Sequence, residues 1–137
     1  MYSLTIRKRG SKFWYKDKKC SRIRGLPARI YPNGDKEWWH LDKRHRDNDL
    51  PAIEYVNGDC EYWDHGHNYN FLTYPNGTKE YYIGNILHKN NSPAIVYPNG
   101  DYEYWAYGLR HRDDGPAVIY GDKQYWFENG EFVKCIV

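Results

Sequence analysis

A chain of 137 residues suffices for one small domain. Fifteen Tyr and six Trp beside a single Met place apolar burial in rings rather than aliphatic side chains, which suits pleated, half-buried surfaces. Net charge is only +2, but residues 1–30 carry +9 and residues 31–137 carry −7. No apolar run approaches the ~18 residues of a membrane span, and the N-terminus lacks the apolar core of a signal peptide. Cys20, Cys60 and Cys135 are odd in number and widely spaced, without a CxxC. They indicate neither a disulfide framework nor a zinc site, and a reducing, cytoplasmic setting is expected.

In chain order, the head (residues 1–19) reads as a degenerate basic hairpin. Tyr2–Arg7 and Lys12-Phe13-Trp14-Tyr15 flank a Gly10-Ser11 turn. Five repeats follow over residues 20–130. Their turn pairs are Asn33-Gly34, Asn57-Gly58, Asn76-Gly77, Asn99-Gly100 and, last, Gly121-Asp122, at intervals of 24, 19, 23 and 22 residues. Such a period marks a repeat array built from one supersecondary unit. A short apolar strand ending in Tyr precedes each turn: 27–31, 51–55, 70–74, 93–97 and 116–120. An aromatic strand follows each: 36–40, 60–64, 79–83, 102–106 and 123–127. Residues 131–137 read as a closing strand. The expectation is a single all-β domain over 1–137, an antiparallel meander of about five to six β-hairpin repeats forming an elongated, single-layer, twisted sheet.

Asn-Gly between two strand-like runs predicts a two-residue type I′ turn. In the fourth repeat that register sets Tyr97 opposite Tyr102, Val96 opposite Glu103, Ile95 opposite Tyr104 and Ala94 opposite Trp105. Within the aromatic strands, alternation puts Trp39, Trp63, Tyr82, Trp105 and Trp126 on one face, with Glu37, Glu61, Glu80 and Glu103.

Between hairpins lies a second signature. His111-Arg112-Asp113-Asp114-Gly115-Pro116-Ala117 is its fullest form; 88–94 and 45–52 follow with changes, 22–28 keeps only the end, and the third unit at 67–72 has lost it. With these residues the chain resembles MORN-type repeats. It is closer still to the variant LHRxDGPAxxYxNGxxxWYxNG repeats of bacteriophages and large DNA viruses. The resemblance covers about residues 20–130 and departs at Leu26, Leu50 and Ser92, where Gly is expected. It implies a binding or scaffold protein, with no catalytic residue to carry over.

An enzyme is not expected: the glycines mark hairpins rather than a phosphate loop, and no GxSxG occurs. No cofactor is expected. His40, His45, His65, His67, His88 and His111 raise the question of metal or acid–base chemistry, with His65-Gly66-His67 the nearest pair. No partner cluster has ligand spacing, so no metal site is expected, and hydrogen bonding of His and Asp to loop backbone is the preferred reading. The candidate binding residues are Arg7, Lys8, Arg9, Lys12, Trp14 and Tyr15 in the head, and Trp39, Trp63, Tyr82, Trp105 and Trp126 along the array. Two functions follow. In the first, a non-enzymatic protein binds another protein through Tyr and Trp, for a viral chain a host defence factor that it inhibits. In the second, the basic aromatic head binds nucleic acid or a nucleotide signal; against it stands the reading of that head as a charged, edge-protecting hairpin with core rings. Self-association through an end, and membrane association of the head, are lesser readings.

Overall fold

The Asn-Gly turns set the register of the sheet, and they do so one residue away from the expected pairing. In the computed structural model, which describes residues 1–23 and 25–137, Tyr97 N–H donates to the Asp101 carbonyl (2.9 Å) and Gly100 N–H closes back on Tyr97 O (3.0 Å). Tyr31, Tyr55 and Tyr74 repeat this geometry with Asp35, Asp59 and Thr78. Each loop therefore has three residues, with only its glycine at positive φ (+92° at Gly100), as in a type I turn with a glycine bulge. Two features favour it over type I′. Pro at 32, 75 and 98 takes the turn position that suits its fixed φ. The Asn side chain also caps the residue after glycine: Asp101 N–H donates to Asn99 Oδ1 at 3.0 Å.

The consequence is a correction to the cross-strand partners. Ile95 lies opposite Glu103 and Val96 opposite Tyr102, so the pairings Tyr97–Tyr102 and Ala94–Trp105 do not form. Type I′ geometry occurs instead at the opposite ends of the hairpins. There Leu41-Asp42, His65-Gly66, Tyr107-Gly108 and Asn129-Gly130 have both residues at positive φ. Gly121-Asp122 is a two-residue loop as expected, with Tyr120 opposite Lys123.

The protein is an all-β, open antiparallel meander, folded as two compact units, Met1–Tyr69 and Asn70–Val137. The first holds β1 (Tyr2–Ile6), β2 (Lys12–Lys16), β3 (Lys19–Cys20), β4 (Arg29–Ile30), β5 (Lys36–Glu37), β6 (Trp39–His40), β7 (Lys43–Arg44), β8 (Ile53–Glu54) and β9 (Cys60–Asp64). Its pairing order is β1-β2-β4-β5-β8-β9, with β3 beside β2 and β6–β7 as a separate short ladder. β10 (His67–Thr73) changes partner along its length: His67–Tyr69 pair with β9, whereas Asn70–Thr73 pair with the next strand. That strand is β11 (Lys79–Ile83). After it come β12 (Ile86–Leu87), β13 (Ile95–Val96), β14 (Tyr102–Glu103), β15 (Trp105–Ala106), β16 (Leu109–Arg110), β17 (Val118–Tyr120), β18 (Lys123–Glu128) and β19 (Glu131–Ile136). They pair as β11-β13-β14-β17-β18-β19, with β12 beside β11 and β15–β16 apart.

Two of the expected aromatic strands are split, at Trp38 and at Tyr104. Trp38 donates its N–H to Ala52 O in the next repeat but accepts His45 N–H from the following loop. Tyr104 does the same with Ala117 and His111. The first half of the strand thus pairs forward and the second half curls into its own short ladder. The Pro-Ala alanines are the tightest points of the core: Ala28, Ala52, Ala94 and Ala117 are wholly buried. Among the described residues the other buried apolar side chains are Phe13, Cys20, Trp38 and Ile53 in the first unit and Tyr81, Ile95 and Val118 in the second. Among the described residues no helix is long and apolar enough to cross a membrane.

Candidate functional site

The inter-hairpin signature is a joint between successive repeats. The His111 ring bonds Asp113 Oδ1 through Nε2 (2.8 Å) and accepts the Asn129 N–H on Nδ1 (3.1 Å). His88 does the same with Asn90 (2.8 Å) and Tyr107 N–H (3.0 Å), and His45 with Asp47 (2.8 Å) and His65 N–H (3.2 Å). The acceptance at Nδ1 places the ring hydrogen on Nε2. The next residue lies over a ring of the preceding strand: Arg46 over Trp38 (3.8 Å), Lys89 over Tyr81 (3.6 Å) and Arg112 over Tyr104 (4.1 Å). Arg46 and Arg112 also donate to the carbonyls of Pro51 and Pro116. In the first repeat Ser21 stands where His is expected, but Arg22 still covers Trp14 (3.8 Å) and reaches Pro27 O (3.2 Å). Of the hydrogen bonding of His and Asp to loop backbone preferred from the sequence, the His part is present in these joints, whereas Asp47 and Asp113 accept from the His ring.

The Glu–ring face read from alternation within strands is present, because a register slip between strands leaves neighbours within a strand unchanged. Trp39 donates its indole N–H to Glu37 (2.7 Å) and Trp105 to Glu103 (2.9 Å). Tyr82 donates to Glu80, and that hydrogen bond with burial raises the phenol well above its ordinary range. Tyr120 is raised likewise, by burial and by donation to Glu103. Glu61 accepts Tyr55 OH instead (2.6 Å), and the buried Trp63 indole N–H has no acceptor among the described residues.

The candidate binding residues divide in two. Trp14, Tyr15, Trp39, Trp63, Tyr82, Trp105 and Trp126 are all half-buried, and most carry a cation of the chain itself. Arg29 and Arg44 lie over Trp39, Arg44 also over Trp63, Arg110 over Trp105, and Lys134 over Trp126. In the head, Arg7 lies over Phe13 (4.5 Å) and donates to Tyr15 OH (3.3 Å), while Lys8, Arg9 and Lys12 are exposed.

Two surface features lie where sequence reasoning did not look. One is the turn Tyr107-Gly108 in the second unit. Tyr107, 71% exposed, sits at φ +49° with its ring 4.3 Å from that of His88, while exposed Ile86 (50%) approaches Gly108 and exposed Leu109 (48%) follows it. Ile86 Cγ2 lies 3.0 Å from where a Cβ on Gly108 would stand, so a larger residue there would have to push Ile86 aside. The other is an imidazole cluster in the first unit. His45 and His65 stack at 3.8 Å between ring centroids, with His40 at 6.4 and 6.2 Å from them and Asp64 between their Nδ1 atoms. Partial burial, then His45 and His65, hold His40 below its usual pKa. His67 takes no part; it sits across from Asp64 in the strand pairing. The sequence clue was a 20-residue step from His45 to His65, about one repeat, which only the joint geometry turns into contact.

Two repeat-equivalent grooves open beside the joints. One, of about 430 Å³, is lined by Trp38, Trp39, His40, His45, Arg46 and Asp47 among others. The second, of about 460 Å³, is lined by Tyr104, Trp105, Tyr107, His111, Arg112 and Asp113 among others.

The fold and these joints define a β-hairpin repeat protein. No family model matches the chain, and no curated protein matches it significantly.

Proposed function

We propose that this is a non-enzymatic, MORN-like repeat protein that binds a protein partner through the turn Tyr107-Gly108 and the exposed Ile86 and Leu109 beside it. The observation that carries this reading is Tyr107. A bulky ring at positive φ costs conformational energy, and residues held this way gather at functional sites. The corresponding turns use His65 and Asn129 for the same backbone bond, so that bond does not require a tyrosine; the Tyr107 ring lies against His88 at 4.3 Å between centroids and leaves most of its surface to solvent. Large exposed aromatics flanked by aliphatics are the usual anchors of protein interfaces. By contrast, the shared Trp residues already carry Arg or Lys on their faces and have less to offer a partner. The resemblance to phage and large-DNA-virus repeats makes a host cytoplasmic protein, a defence factor that is inhibited, the partner class to try first. The test is affinity capture from the native host with the intact chain and with Tyr107→Asn; a protein held by the first and lost by the second supports the reading.

A second reading rests on Lys8, Arg9 and Lys12, which are exposed around the head hairpin. Such cations bind the phosphates of a nucleic acid or nucleotide, with an affinity that falls steeply with salt. Their covering role for strand β1 competes with it. Binding of a single-stranded oligonucleotide that survives Lys8→Glu/Arg9→Glu unchanged removes this reading.

A further inference from the structure

We propose that His45, Asp64 and His65 bind one divalent transition-metal ion of the zinc class. In each His joint the ring donates Nε2–H to a side chain two residues on and turns its Nδ1 lone pair toward the next hairpin turn. At two joints the residues met there are Ala106-Tyr107 and Glu128-Asn129. At the first they are Asp64-His65, and the donor atoms of all three residues lie within 4.8 Å of one another.

Charge is unbalanced at this point. Asp64 Oδ1 lies 2.6 Å from His65 Nδ1 and 3.1 Å from His45 Nδ1. The His65 ring proton satisfies the first contact. The second sets a carboxylate oxygen against a lone pair, which is repulsive unless positive charge stands between them. The backbone N–H of His65 shares that lone pair through the longest of the three joint bonds, 3.2 Å against 3.0 and 3.1 Å. A cation there relieves the repulsion and meets the His65 Nδ1 as well when that ring carries its hydrogen on Nε2.

The surroundings suit a metal. Asp47 accepts His45 Nε2–H at 2.8 Å; a carboxylate in this place fixes the ligating tautomer and raises the basicity of the ring. Two imidazoles and one carboxylate select zinc, nickel or cobalt over magnesium or calcium. His45 is half-buried and His65 exposed, so solvent reaches the site and can fill the remaining coordination positions. Bound there, the ion ties the loop after His45 to the turn at His65-Gly66.

The experiment is calorimetric titration of the chelator-treated chain with zinc, paired with thermal melting in zinc or magnesium. The intact chain is expected to take up one equivalent of zinc and to melt higher in zinc but not in magnesium. Asp64→Ala/His65→Asn borrows the residues of the sister joints, and Asn129 holds φ +48° where His65 holds +44°, so this variant keeps the turn. It should match the intact chain in metal-free melting, bind zinc at least tenfold more weakly and lose the shift. His67→Ala should behave as the intact chain. The proposal is overturned if the intact chain shows no saturable uptake of one equivalent, if the double variant binds equally well, or if His67→Ala loses binding to the same degree.

Discussion

Nδ1 of His88 accepts the backbone N–H of Tyr107 at 3.0 Å, joining a loop to a turn 19 residues further on. His88 is only 5% exposed, and its Nε2 is satisfied by Asn90. One imidazole thus pairs two polar groups that neighbouring repeats would otherwise leave unmet. His88→Ala strands both, and is expected to lower unfolding stability by about 1–3 kcal/mol. Urea denaturation checks this, with His67→Ala, on an exposed strand position, expected within about 0.5 kcal/mol of the parent.

Arg46 combines stacking over Trp38 with donation to Pro51 O (3.1 Å) and Glu54 (2.9 Å). Arg46→Ala should cost about 1–3 kcal/mol from the stacked cation and the carbonyl bond together. Arg46→Lys keeps a cation but not the planar stack, and should recover less than half of the loss. Chemical denaturation followed by Trp fluorescence reads both.

How much of this was legible in the sequence depends on the range of the interaction. Hairpin number, turn positions and the Glu37–Trp39 type of neighbour are local and were readable. The register was not, because Asn-Gly taken alone asks for type I′. The Pro before it and the Asp101–Asn99 cap after it select the three-residue loop. The split at Trp38 needed knowledge of two partners in different repeats. The imidazole cluster was invisible for the same reason: His65-Gly66-His67 looked like the pair, yet the strand pairing sends His67 elsewhere and the joint brings in His45.

The cysteines should separate by reactivity. Burial raises the Cys20 thiol, and its side chain is enclosed, while Cys60 and Cys135 are exposed. Native chain treated with iodoacetamide near pH 8 should gain two adducts rapidly, at Cys60 and Cys135, and the third only on unfolding. Mass spectrometry of the intact chain and its peptides reads the count and the sites.

Alkali should weaken the Glu–Tyr pairs. The Tyr82 phenol is held above its unfolded value by donation to Glu80 and then by burial, and the Tyr120 phenol by burial and then by donation to Glu103. A group raised in the folded state contributes stability that is complete below its unfolded pKa, about 10 for Tyr. That stability is lost as pH rises toward the folded value. Unfolding stability should therefore fall from about pH 10 upward, and less so in Tyr82→Phe/Tyr120→Phe, as urea titrations at pH 8 and pH 11 will read.

The residues shared by all repeats are consumed in joining them, so binding should rest on residues that the joints do not need. Tyr107→Asn removes the exposed ring, and with it the contact to His88, but leaves the joint's backbone bond in place. It keeps the backbone N–H that His88 accepts and supplies a residue suited to positive φ, as Asn129 already is. The most direct measurement is partner capture by this variant beside its urea midpoint. The account predicts an unfolding free energy within about 1 kcal/mol of the parent's with capture abolished. Retention of the full set of captured proteins by a folded Tyr107→Asn chain would contradict it.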